Sequence, residues 1–586
     1  MPEIGTGATR HPLIALLAVA GLATLAGCGD RDPSMVEVLG FPPERSAADF
    51  PGLSYPVHEG SIPKPGSLHG PVWLIAVDGA TWDVLSPLME GGDLPNFKAM
   101  VEAGAHGTLM SEEPTISPAV WATVATGMPR FEHGVINFIT KLAGSYDTIE
   151  VGPPDRRSPA IWELVGASRG TSAVISWFGS YPAEEIPGYY ITKRFDPENL
   201  HPRQVYPAHF AERLSKKSVV KMRRVDLQLI GWNDPLQRAL LHDARTLAAL
   251  RVIDEGAQPD LVAVYFAGID IVQHTMWRHM DPSTQQFPED GEPDADLARV
   301  IPSYYRFIDH TLGEIVAMAP EDTTFVVVSD HGGGPLQLED AYHLQLEVLL
   351  TLMGLMDDNH RGPAYALSEL YRHEKRIWLN LAGIEPDGTV PLDRADARAQ
   401  SIRERLLGLV TDTGDPVFTT LTVHTAEPRW RPGDPALTVR FSRAALLAAS
   451  VQDEGRTLDF SPVRMRLTDV SGSHRPDGIL ILNGPGIRPG ALGKPSNIYQ
   501  VAPTLLYLLG LPQDGRMLRR APRDGGVMVA ALDPGLLARH PVTMIPEYPG
   551  TNRGHLLRAG QGPVPDEIDP ARDEAMERLR ALGYIR

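Results

Sequence analysis

The sequence predicts an α/β fold: a doubly wound, mostly parallel sheet flanked by helices. Three observations predict it. Short apolar runs recur at 72–78, 172–177, 260–266, 324–330 and 478–482, and each has the length of a buried strand. Helical patterns lie between them, and strand–helix alternation is what a parallel sheet covered on both faces requires. Two of the runs close on an aspartate, Asp78 and Asp330, at the carboxyl ends where such folds place their active sites.

Taken in order, the chain begins with polar residues 1–12, carrying Arg10 and His11, and then an apolar stretch at 13–27. That stretch is shorter than the roughly 20 residues of a membrane span and suits the apolar core of a signal peptide. It ends in Leu25-Ala26-Gly27-Cys28, which resembles a bacterial lipobox. The resemblance implies a lipoprotein signal peptide over 1–27, lipidation at Cys28, and export to a periplasm-facing membrane anchor. By resemblance to the enterobacterial lipoprotein sorting rule, Gly29 mildly favours the outer over the inner membrane. A plain secretory signal is the alternative. Residues 28–70, rich in Pro, Gly and Ser, form a tether.

The main body is expected at 71–515. Helices are predicted at 82–90, 95–103, 117–127, 236–254, 298–317, 341–355 and 498–509, the last stopping at Gly510. Ser117 followed by Pro118 fits an N-cap with proline at the first helical position. Segments 180–235 and 357–465 break the alternation and are expected as inserted caps. Residues 516–586 form a C-terminal extension with a short charged helix near 574–582.

Composition narrows the class. The chain has 586 residues, 43% hydrophobic and 22% charged, which excludes a disordered or fibrous protein. It exceeds the roughly 250–300 residues that one core supports. A net charge of −19 with no basic block argues against nucleic-acid binding. One cysteine excludes an intramolecular disulfide and a cysteine-rich metal site.

Five motifs concentrate metal-ligand chemistry: Val77-Asp78-Gly79, Pro114-Thr115-Ile116-Ser117-Pro118, Asp270-Ile-Val-Gln-His274, Ser329-Asp330-His331-Gly332-Gly333 and Gly472-Ser473-His474. Three aspartates, three histidines and a hydroxyl suit two zinc-like ions, whose ligands are imidazole nitrogen and carboxylate oxygen. Each motif alone has a bland reading as a helix cap, a turn or a surface pair. The ordered set carries the weight.

That ordered set resembles the alkaline phosphatase superfamily, and within it the type I phosphodiesterase/nucleotide pyrophosphatase family. The likeness runs over about 70–515 and includes Asp78-Gly79-Ala80-Thr81-Trp82-Asp83, Ala125-Thr126-Gly127, His133-Gly134, Gln273-His274, Asn380 to Gly388 and Pro476-Asp477-Gly478. It implies an alkaline-phosphatase-like sheet with inserted caps and hydrolysis of phosphate mono- or diesters through a phosphoserine at Ser117. One metal would be held by Asp78, Ser117, Asp330 and His331, the other by Asp270, His274 and His474. Two divalent ions are expected, Zn2+ first, with Mn2+ or Mg2+ as alternatives. Thr115 is the nearest competitor for nucleophile.

Where close relatives have Gly-Arg-Glu-Pro, this chain has Gly383-Ile384-Glu385-Pro386. Rival readings are a sulfatase, whose Cys/Ser-x-Pro-x-Arg motif Ser117 to Trp121 lacks, a phosphomutase or phosphotransferase sharing the ligands, and a non-catalytic binding lipoprotein. The expected substrate is small and phosphorylated. Arg194, Arg203, Arg223 and Arg224 are cations that could meet it.

Overall fold

The computed structural model describes residues 55–551, apart from 67, 69, 143, 218–233, 255–257, 286, 288–290, 358–361, 368–373, 427–429, 469 and 521–524. The signal segment, Cys28, most of the tether, the helix expected near 574–582, and Arg223 and Arg224 lie outside the described residues.

A ten-stranded sheet organises the chain. Its strands are β1 (Val72–Val77), β2 (Ala105–Met110), β3 (Ser172–Ile175), β4 (Gly188–Ile191), β5 (Val205–Tyr206), β6 (Leu261–Phe266), β7 (Thr324–Val328), β8 (Asp477–Asn483), β9 (Gly490–Ala491) and β10 (Ser496–Asn497). They run in the order β9-β2-β8-β7-β1-β6-β3-β4-β5, with β10 beside β2. β1 lies parallel between β6 and β7, and both β1 and β6 are buried along their whole length. Apolar residues on both faces of these strands explain their unbroken hydrophobic runs.

The helices match the predicted pattern closely: α1 (Trp82–Glu90), α2 (Pro95–Ala103), α3 (Ser117–Thr126), α4 (Asp234–Asp254), α5 (Gly268–Met280), α6 (Val300–Met318) and α7 (Val501–Leu508). Among the described residues no helix is long and apolar enough to cross a membrane.

Several expectations need correcting. β8 was expected to be parallel, but it pairs antiparallel with both β7 and β2. A run buried on both faces shows the same hydrophobicity in either direction, so the pattern could not tell. Within the segment expected as a cap at 180–235, β4 and β5 extend the central sheet instead. The predicted helix at 341–355 shortens to Leu346–Leu352, because 342–344 pairs with 464–466 as a strand.

The tether and the extension also differ in part from expectation. Residues 55–66 pack on the body, with Tyr55 and Ile62 against the core and Val57 bridging to Met544. Met517, Leu532, Leu536 and Tyr548 of the extension are buried in the same core. Burying these apolar side chains outweighs leaving the segments free.

Residues between Leu344 and Val463 form a second hydrophobic core. It has its own four-stranded sheet, in which Glu374–Leu379 pairs with Leu437–Phe441. Glu385 belongs to this segment and forms a buried 2.8 Å ion pair with Lys141. The Gly-Ile-Glu-Pro motif is thereby braced against the short strand Ile139–Lys141.

Candidate active site

Register aligns the site. Val77 pairs with Phe266 and Ala76 with Val328, so Asp78, the start of α5, and Ser329-Asp330-His331 all emerge at one edge of the sheet. Gly79 makes this possible. It sits at φ +70°, and a Cβ there would lie 2.9 Å from the Asp270 backbone. Only glycine lets the Asp78 turn approach Asp270 this closely.

α5 carries Asp270 in its first turn and His274 one turn later, on the same face. Its N-terminus is capped from outside. Asp243 on α4, fully buried, accepts from the backbone N–H groups of Ala267 and Gly268 at 3.1 and 3.0 Å and from the Tyr304 hydroxyl at 2.9 Å. Sequence reasoning missed Asp243, because a lone acidic residue inside a helix has no local signature.

His474 arrives on a short strand, 472–475, paired antiparallel with 332–335. It lies opposite Gly333, where a Cβ would meet the Gln273 side chain at 2.4 Å. The His331 and His474 rings stack with centroids 3.6 Å apart.

All seven predicted ligands, the nucleophile candidate Ser117 among them, come together. Asp270, His274 and His474 offer atoms within 4.8 Å of one another, and so do Asp78, Asp270 and His331. Asp270 therefore lies between two groups rather than in one. Asp330 adjoins the second, its Oδ2 3.4 Å from His331 Nε2. Ser117 Oγ is 3.3 Å from the same nitrogen.

Ser117 is the first residue of α3, and Ile116 is its N-cap. The expected capping role thus falls to a neighbour, and the hydroxyl faces His331 instead. Thr115 has another part: its carbonyl oxygen accepts from His474 Nδ1 at 2.8 Å.

The three imidazoles are held in one way. His274 Nδ1 faces the Gly472 carbonyl at 3.0 Å, His331 Nδ1 the Gly332 carbonyl at 3.0 Å, and His474 Nδ1 that of Thr115. A carbonyl accepts only, so each Nδ1 carries the proton and each Nε2 is turned into the site. Asp78 Oδ1 and Asp330 Oδ2 are buried there without a hydrogen-bond partner. Orphaned carboxylate oxygens facing imidazole nitrogens are the donor set a divalent cation takes, so the residues fit a metal centre.

Electrostatics agree. Burial, then the Asp270 charge, pushes the Asp78 carboxyl up to about 7, although Tyr265 and Trp121 donate to its other oxygen. Asp330 is pushed well above the usual range by burial and by the Asp78 and Asp270 charges. For Asp270 burial works the same way, yet in the metal-free site the charge of a protonated His274, and the hydrogen bonds that protonated His274 and His474 donate, hold it well below that range. Burial and the neighbouring His474 keep His331 well below its ordinary value, hence neutral. Crowded carboxylates that resist ionising together are what bound cations would relieve.

Of the arginines expected near substrate, Arg194 pairs with Glu150 at 2.7 Å and packs on Tyr181, where Arg203 also stacks.

The family model described as type I phosphodiesterase/nucleotide pyrophosphatase matches residues 72–460. No curated protein matches the chain. Among solved structures, human ectonucleotide pyrophosphatase/phosphodiesterase 5 is similar at 14% identity, covering 78% of this chain and 97% of that one, with a TM-score of 0.43. Phosphonoacetate hydrolase from Sinorhizobium meliloti, in complex with phosphonoacetate, is similar at 17% identity, covering 78% and 99%, with a TM-score of 0.46.

Proposed function

The chain belongs to the type I phosphodiesterase/nucleotide pyrophosphatase family, whose members are phosphoric ester hydrolases, and from that premise we propose that it hydrolyses small phosphate esters through a phosphoserine at Ser117, within a centre for two divalent ions. The observation that carries this reading is the set of three Nδ1-tethered histidines. Their Nε2 atoms converge on Asp78, Asp270 and Asp330, with Ser117 Oγ 3.3 Å from His331 Nε2.

In this reading Asp78, Ser117, Asp330 and His331 hold one ion and Asp270, His274 and His474 the other, with the Asp270 carboxylate also close to the first group. The mixed Asp/His set suits Zn2+, with Mn2+ or Mg2+ as alternatives. When bound, the ions would lower the pKa of the serine hydroxyl and of water and neutralise charge on the leaving oxygen.

The chain's own residues do the rest. α3 presents Ser117 at its N-terminus, where the helix dipole favours an anionic oxygen. Trp121 and Tyr265 fix the Asp78 carboxylate from behind. Ser117 Oγ gives up its proton to solvent and bonds to phosphorus, and the ester oxygen leaves with the electrons of its own bond to phosphorus and takes a proton from water. Water then cleaves the phosphoserine and restores the hydroxyl.

Hydrolysis of p-nitrophenyl phosphate, bis-p-nitrophenyl phosphate and p-nitrophenyl sulfate, before and after chelation, tests the assignment. Chelator-sensitive turnover of a phosphate ester is expected. Turnover of the sulfate alone would overturn it.

We assign the catalytic body to 71–515, with 357–465 as a cap, and residues 1–27 with Cys28 to lipoprotein export and a periplasm-facing anchor. Cys28→Ser should release the protein from membranes. Retention of the variant on membranes would contradict the anchor.

A further inference from the structure

Gln273 stands on α5 between Asp270 and His274, and it is buried. Its Nε2 donates to the Gly79 carbonyl at 2.7 Å, and its Oε1 accepts from the Tyr305 hydroxyl at 3.2 Å. A backbone carbonyl accepts only, which settles which end of the amide faces Gly79. Tyr305 lies on α6, and its hydroxyl in turn accepts from the Thr81 backbone N–H at 3.0 Å. The two side chains therefore close a ring on the turn that follows Asp78. One end is held at the Gly79 carbonyl and the other at the Thr81 amide. The Gly79 N–H donates to Asp330 Oδ1 at 3.3 Å, so the same turn also touches a second ligand carboxylate.

The paired strands 332–335 and 472–475 shut Gln273 in. A Cβ at Gly333 would lie 2.4 Å from its Nε2, and one at Gly472 would lie 2.3 Å from its backbone oxygen. Glycine at both places lets the strands close over the residue. Gln273, Tyr305 and Thr81 are all buried, so a partner lost here is not replaced cheaply by water.

We propose that Gln273 is a positioning residue: with Tyr305 it clamps both ends of the Gly79–Thr81 turn, and so holds Asp78 in place for the ion of the Asp78, Ser117, Asp330 and His331 group. The inference rests on the metal centre proposed above and adds the device that prearranges one half of it. Trp121 and Tyr265 fix the Asp78 carboxylate, whereas the clamp fixes the backbone that carries it. Gln273 is next to His274 in sequence, yet its side-chain hydrogen bonds run to the Asp78 turn. Its loss should therefore fall on the ion of the Asp78 group. A residue that only packed α5 would act first on the ion of Asp270, His274 and His474.

The test titrates Zn2+ into the metal-free full chain in two backgrounds. His474→Ala leaves the Asp78 group complete, and Asp330→Ala leaves the Asp270 group complete. Adding Gln273→Met to the first should raise the Kd about 10–100-fold, the range for lost partners of metal ligands. Adding it to the second should change the Kd less than about threefold, as for an independent site. Tyr305→Phe, which keeps the ring, should show the same selectivity. Equal weakening in both backgrounds, weakening confined to the second, or none overturns the proposal. A second readout needs no metal: hydrogen–deuterium exchange of metal-free wild type and Gln273→Met. Amides 79–81 should exchange about fivefold faster or more in the variant, with 270–274 unchanged. Unchanged exchange at 79–81 also overturns the proposal. A wild type that binds no Zn2+ would sink the metal-centre reading, while the exchange comparison would still decide whether Gln273 holds the turn.

Discussion

His274 Nε2 and His474 Nε2 stand 2.9 Å apart, while the Nδ1 atom of each ring faces a backbone carbonyl. Neutral rings held this way point two lone pairs at each other. Such an arrangement is stable only with positive charge between or beside the nitrogens. Asp270 Oδ1 is 3.3 and 3.4 Å from them and completes one face of a cation site.

Metal stoichiometry follows from this grouping. His474→Ala should lose about one ion per chain, because it removes a ligand from one group only. Asp270→Ala should lose more, since its carboxylate serves both groups. Elemental analysis by plasma mass spectrometry checks both. Wild-type stoichiometry in Asp270→Ala would contradict the shared-ligand geometry.

The Asp78 and Asp330 carboxyls should make the metal-free protein less stable as pH rises. Asp78 titrates at about 7 when folded, against about 4 for an unfolded aspartate. Between those values the folded state holds the extra proton, so raising pH favours unfolding. Asp330, pushed the same way, adds to the slope. Asp270 is ionised throughout this window and adds none. The buried histidines His133, His331 and His424, held neutral, work the other way as pH passes the ordinary imidazole value. The carboxyl contribution is therefore read as a difference: between pH 5 and pH 8 the Tm of chelated wild type should fall relative to that of chelated Asp78→Asn. Added metal should remove that difference in slope, because it binds the ionised carboxylates. A Tm difference between the two proteins that does not change over this range would refute the linkage.

Tyr265→Phe removes one donor to Asp78 and keeps the ring. Metal affinity or kcat/KM should drop about 10–100-fold, as for other lost partners of metal ligands. Metal titration and steady-state kinetics measure the change, and an unaltered enzyme would show that Tyr265 does not orient Asp78.

Asp243→Ala removes the acceptor of two buried backbone N–H groups and of the Tyr304 hydroxyl. The expected cost is about 3 kcal/mol, read from denaturant unfolding. Weaker metal binding should accompany it, because α5 carries Asp270 and His274. A loss within about 0.5 kcal/mol, the range of an ordinary surface change, would show that the cap does not anchor α5.

Much of the site was legible because its chemistry is local. Asp78 and Asp330 end apolar runs, Asp270 and His274 are four apart, and Gly332-Gly333 follows His331. What was not legible depends on partners distant in sequence. Tyr265 looks like one more strand residue until β6 is placed beside β1. Asp243 becomes a cap only when α4 meets α5. The cap at 357–465 was expected, but its internal sheet was hidden for the same reason: strands 374–379 and 437–441 pair across some sixty residues of chain. The direction of β8 is carried by pairing geometry, not by its apolar residues. The packing of 55–66 and 516–551 was hidden because loop-like composition masks a few buried anchors such as Tyr55 and Tyr548.

The most direct measurement is turnover of p-nitrophenyl phosphate esters by metal-loaded Ser117→Ala beside the wild type. The account predicts that the variant keeps its metal and loses turnover by about a thousandfold or more, as expected when the nucleophile is removed. Turnover at the wild-type rate by a metal-loaded Ser117→Ala would contradict it.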